Sequence, residues 1–113
     1  MKVTYAKDGQ AYMPGGHYDV KCARLHNDEI SGAEHIILGI SHFLPFGGGA
    51  DYAVTPDNAN IIYYVVEGEM TVTTDDGEYV LHGGDSICFN PGDGRSCKNT
   101  GAVPATMITI MGK

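Results

Sequence analysis

A chain of 113 residues with a net charge of −7, its seven Lys and Arg outnumbered by fourteen Asp and Glu, has length for one domain around one core. It lacks the clustered basic charge that nucleic acid or an anionic membrane requires. No apolar run approaches the roughly 20 residues that cross a bilayer, the opening MKVTYAKDGQ lacks the apolar segment of a signal peptide, and Cys22, Cys88 and Cys97 form no CxxC pair, so reduced thiols and a cytoplasmic location are expected.

Residues 1–16 read as a leading arm that ends in the turn Met13-Pro14-Gly15-Gly16, and 17–113 as the domain proper. His17 to Leu25 alternates, with Tyr18, Val20 and Cys22 on one side and Asp19 and Lys21 on the other, the pattern of a strand with one wet face. Asn27 to Gly32 is polar and turn-like. Ala33 to Leu44 is long enough for a helix, but its isoleucines, its glycine and serine interruptions and the following PFGGG favour a strand that enters a corner. Pro45 to Asn60, with three consecutive glycines and Pro56, reads as a loop-rich mouth.

From Ile61 to Asn99, short apolar runs (IIYYVV, MTV, YVL, SICF) are separated by turn residues, and Asp76-Gly77 is the dipeptide that a two-residue hairpin turn prefers. Ala102 to Met111, with Met107 and Thr109 alternating against Ile108 and Ile110, supplies a closing strand. The whole is expected to be all-β. Sixteen glycines suit many short strands.

The spacing of Gly49, Thr55, Asp57, Ile61 and Gly68, or with a longer gap Gly48, Val54, Pro56, Ile61 and Gly68, followed by Gly84, Asn90, Gly92, Arg95 and Asn99, resembles the two motifs of the cupin family. The resemblance implies a small jelly-roll β-barrel. It also implies where a cation would sit, since metal-binding cupins use two histidines and a glutamate of the first motif and a histidine of the second. Here those slots hold Thr55 and Asp57 (or Val54 and Pro56), Ile61 and Arg95. Isoleucine has no lone pair to give, and a guanidinium is permanently positive. The usual metal site is expected to be missing. A cation held instead by His17, His42 and Asp57 is the alternative, since positions distant in sequence can meet across a barrel.

If the slots at 61 and 95 face inward, period 2 turns Tyr63, Val65, Cys97 and Asn99 inward too, and Met70 and Val72 share that phase. Arg95 is the first candidate, either as a two-pronged clamp on a carboxylate, phosphate or enolate or as a rim residue paired with Asp93 or Asp57. His42, inside an apolar run, is either a catalytic base or a core or interface residue, while His26, His35 and His82 read as surface residues. Tyr63 is an oxyanion donor or a packing residue. Cys97, beside an arginine, is a low-pKa thiol or a small buried hydrophobe. Thr55, Asp57 and Met70 complete the expected substrate wall.

Two classes of function follow. One is a metal-independent isomerase, epimerase or lyase that acts on a small anionic substrate, with Arg95 fixing the anion and His42 or Tyr63 moving a proton. The other is a non-catalytic module that senses a small ligand. Exposed sheet edges need covering, and a homodimer is expected.

Overall fold

The computed structural model describes residues 1–113. Strands β1 (Gln10–Tyr12), β2 (His17–Tyr18), β3 (Val20–His26), β4 (Ile36–Phe43), β5 (Gly49–Val54), β6 (Asn60–Glu67), β7 (Glu69–Thr74), β8 (Gly77–His82), β9 (Ser86–Phe89), β10 (Gly94–Asn99) and β11 (Ala105–Gly112) make up nearly all of the regular structure. They form two sheets, ordered β1-β3-β4-β11-β6-β9 and β2-β5-β10-β7-β8, with every pairing antiparallel. The architecture is a jelly-roll sandwich whose sheets face one another without closing into a continuous barrel.

The leading arm is part of the sandwich, because β1 pairs with β3 from Gln10↔Arg24 to Tyr12↔Cys22. The expected strand at 17–25 is split in two: Asp19 takes a positive φ of 50° and turns the chain from the five-stranded sheet into the six-stranded one. Asn27 to Gly32 closes into one helical turn, α1 (Asp28–Ser31), whose Asn27 Oδ1 accepts from Ile30 N at 2.8 Å. Within Ala33 to Leu44, Ile36–Phe43 is a strand, β4, which lies mid-sheet between β3 and β11, and residues 33–35 form the turn that leads into it.

The expected mouth loop contains β5 instead. A Cβ on Gly49 would collide with the carbonyl oxygen of Cys97, so the glycines at 48 and 49 serve close backbone approach rather than flexibility. The β7–β8 hairpin turns on Asp75-Asp76 with Thr74 opposite Gly77, one residue earlier than Asp76-Gly77. Gly77 keeps the positive φ, of 135°, and the Thr74 hydroxyl takes the Asp76 amide at 3.1 Å.

Inward phase runs through both sheets. Ile61, Tyr63 and Val65 of β6, Met70 and Val72 of β7, Cys97 and Asn99 of β10, Phe43 of β4 and Met107 of β11 are all buried. One end of the sandwich is solid: Phe43, Val65, Met70, Val72 and Asn99 are each essentially without exposure. Asn99 is the polar member, and its amide is fully engaged, with Nδ2 donating to the Phe43 and Val103 carbonyls and Oδ1 accepting from Gly101 N at 2.9 Å. That satisfaction makes a buried amide tolerable.

Candidate functional site

The other end of the sandwich is hollow. A cavity of about 230 Å³ lies between the sheets, walled by Tyr12 and Pro14 of the arm, His17, Arg24, Tyr63, Arg95, Cys97 and the inward apolar side chains of β4, β6 and β11. Both arginines of the chain line it, and they enter from opposite sheets, Arg24 on β3 and Arg95 on β10. No Asp or Glu is among the lining residues.

Each arginine sits beside an irregularity of the ladder. Between Arg24 and His26, β3 carries an extra residue against β4, and opposite Arg95 and Cys97 the extra residue is in β5. Such bulges re-aim a side chain relative to regular pleating. The Arg95 Nε donates to the Tyr63 hydroxyl at 3.3 Å and its Nη1 to the Ala53 carbonyl at 3.1 Å, while its guanidinium carbon lies 5.6 Å from the Phe89 ring centroid. Arg24 stacks over the Tyr12 ring at 4.5 Å, and its Nε is buried without a hydrogen-bond partner. The ion pair of the chain is His82 with Glu69, at 3.2 Å on the surface. Neither guanidinium has a carboxylate partner, so the rim pairing of Arg95 with Asp93 or Asp57 does not occur.

Tyr63 is edge-on to Phe89, with centroids 5.0 Å apart. It accepts the Arg95 hydrogen bond and so keeps its own hydroxyl hydrogen to give to a ligand. Burial, followed by the nearby Cys97, pushes its pKa up despite Arg95, as burial first does for Tyr12. Cys97 is the opposite of an activated thiol: burial lifts it to about 11, outweighing the Ala50 backbone hydrogen bond and Arg95 that pull it down. The low-pKa expectation for Cys97 fails because desolvation of a thiolate costs more than one neighbouring cation returns.

Other expected site residues lie elsewhere. His42 points out of the six-stranded sheet, exposed, with Nδ1 3.2 Å from the Thr106 hydroxyl, because the inward phase of β4 belongs to Ser41 and Phe43. Thr55 is buried but does not line the cavity, and its hydroxyl donates to the Asp93 carbonyl at 2.9 Å, pinning the β5–β6 loop. Asp57 is exposed in that loop, and Met70 lies in the solid end, off the cavity.

The histidine at the cavity is His17. Its Nδ1 is 3.2 Å from the Gly15 carbonyl, which can only accept, so Nδ1 carries the hydrogen and Nε2 of the neutral ring is the free base. Arg24 and Tyr12 were not foreseen. Continuing the alternation of Val20 and Cys22 by one step reaches Arg24; Tyr12 has no comparable signal, because its strand is three residues long.

These residues do not fit a divalent cation. Of the motif slots, Thr55 is engaged, Asp57 is outside, Ile61 lines the cavity with no donor atom and Arg95 is positive. His17, His42 and Asp57 lie in the lumen, on the outer sheet face and in an exposed loop, so the alternative triad does not assemble, and no group of three or more His, Cys, Asp or Glu surrounds a common point. What the lumen offers is positive charge, two phenols and one imidazole. No helix is long and apolar enough to cross a membrane.

The fold recurs in solved structures. A predicted oxalate decarboxylase from Thermotoga maritima superposes with a TM-score of 0.83 at 19% identity, covering 98% of each chain. The polyketide cyclase RemF from Streptomyces resistomycificus does so with a TM-score of 0.83 at 17% identity, covering 99% of this chain and 79% of its own. Among curated proteins, one named beta-D-galactosidase from Mycobacterium tuberculosis is 35% identical over 99 residues, 88% of this chain and 83% of that protein. The cupin domain model matches residues 43–111. With that match over more than half its length and a jelly-roll sandwich to carry it, the chain belongs to the cupin domain family.

Proposed function

We propose that the chain is a metal-independent cupin that takes a small anionic substrate, a carboxylate or sugar acid, into the hollow end of the sandwich and carries out isomerase- or lyase-type proton transfer there. The observation that carries this reading is a cavity lined by two guanidinium groups and no carboxylate, in a protein whose net charge is −7. Both arginines are half-buried and neither has a counter-charge, and a bound anion supplies one. Arg95, held by Tyr63 and Ala53, presents its remaining donors as a fixed fork. His17 Nε2 replaces His42 as the base that removes a proton next to a carbonyl, and the Tyr63 hydroxyl donates to the oxygen that becomes negative.

Solvent hydrogen exchange followed by NMR on pyruvate and a panel of small keto and sugar acids tests the assignment. Exchange that falls in both Arg95→Ala and His17→Ala supports it. Saturable binding with no exchange reduces the protein to a sensor of the same anions, and activity unchanged in Arg95→Ala removes the reading.

The name of the 35% identical relative favours a second reading, glycoside hydrolysis. That chemistry uses a pair of carboxyl groups about 5–10 Å apart, and the lumen has none. A separate cavity of about 360 Å³ between β8 and β9 is lined by Asp75, Asp76 and Asp93. A chromogenic β-galactoside hydrolysed by the wild type and by Arg95→Ala, but not by Asp93→Asn, would move the chemistry to that cavity.

A further inference from the structure

We infer that the ligand of the lumen is a short dianion with an anionic group at each end, spanning the cavity from Arg24 to Arg95; this rests on the anion-binding reading above. Register carries the inference. Arg24 stands opposite Gly39, Gly39 opposite Thr109, and Thr109 opposite Tyr63, so these four form one straight row across β3, β4, β11 and β6, and all four line the cavity. Three strand spacings of about 4.8 Å put the ends of the row roughly 14 Å apart at the backbone. One end is a guanidinium. The other is the tyrosine whose hydroxyl holds the second guanidinium.

Between the two charges the row itself is lightly built, and the Tyr12 hydroxyl lies over its middle, 3.7 Å from where a Cβ on Gly39 would stand. Gly39 contributes no side chain, and the Thr109 hydroxyl makes no hydrogen bond within the chain, which leaves it for a carbonyl or hydroxyl midway along a ligand. At the Arg24 end, the guanidinium lies over the Tyr12 ring and has no carboxylate within ion-pair distance, and an oxyanion in the cavity would supply the counter-charge. A monoanion would neutralise one end and leave the other guanidinium uncompensated. The cavity, about 230 Å³, has room for a four- or five-carbon diacid.

Isothermal titration of the full chain at low salt with succinate and with butyrate, equal in carbon number and different in charge, tests the inference. Succinate is expected to bind about 10- to 100-fold more tightly. Arg24→Gln should bring succinate down to about the butyrate level, whereas Arg24→Lys, which keeps the charge, should retain most of the difference. Equal affinities in the wild type overturn the inference while leaving the anion site standing, and so does a difference that survives in folded Arg24→Gln. If neither acid binds, both fail. The wild-type comparison decides even where Arg24→Gln does not fold.

Discussion

The two ends of the sandwich are made from the same strands and put them to opposite uses. On β10, Asn99 is sealed in the solid end with every amide atom satisfied, and Arg95, four residues away on the same face, stands in the hollow end with no counter-charge. On β6, Val65 is packed and Tyr63, one pleat along, reaches into the cavity. Inward direction is set by period 2 along the whole strand. What separates packing from binding is whether the inward group is fully compensated inside the fold: the Asn99 amide is, whereas the arginines find neutral partners and no counter-charge.

That contrast predicts a division of labour between stability and ligand affinity. The largest effect is expected from Met70→Ala, which hollows the solid end: a loss of about 2–5 kcal/mol in denaturant unfolding, with affinity for a small carboxylate unchanged in the fraction that folds. Comparable loss of affinity would mean that the two ends are not separable. Asn99→Ala should follow, at about 1–3 kcal/mol, because the Phe43 and Val103 carbonyls and the Gly101 amide lose their partners.

Cys97 lies on the border, and pH reads it. Its native pKa is raised from 9.0 to about 11, so the folded state favours the neutral thiol. The stability this provides is complete below about pH 9 and falls away as pH rises to about 11, by up to about 3 kcal/mol. Unfolding measured across that window should show the slope in the wild type and a flatter profile in Cys97→Ala. A thiol reagent should likewise modify Cys97 slowly at neutral pH. At the small end of the scale, His42→Ala, on the outer sheet face, should change stability by no more than about 0.5 kcal/mol and leave any proton exchange intact. Loss of exchange in that variant would put the base outside the lumen.

The strand pattern could be read because alternation is local, as in Ile61, Tyr63 and Val65. What the sequence hid was pairing at a distance. β1 is too short to show alternation, and only its ladder with β3 brings Tyr12 over Arg24. His42 looked internal because its run is apolar on both sides, but both faces of β4 carry isoleucine or leucine, so composition could not give its phase. Of the two readings of Cys97, the structure favours the small buried hydrophobe over the low-pKa thiol, since burial outweighs Arg95. The ligand slots at Ile61 and Arg95 showed their chemistry from residue type alone. The second arginine needed the alternation from Val20 and Cys22 carried one step further and the cavity itself.

Calorimetric titration of chelator-treated protein with pyruvate, in the wild type and in Arg95→Ala, tests the central claim most directly. The account predicts one saturable site without added metal, weakened by salt and about 10- to 100-fold weaker in the variant. Binding that requires a divalent ion, or that survives the loss of Arg95 undiminished, would contradict it.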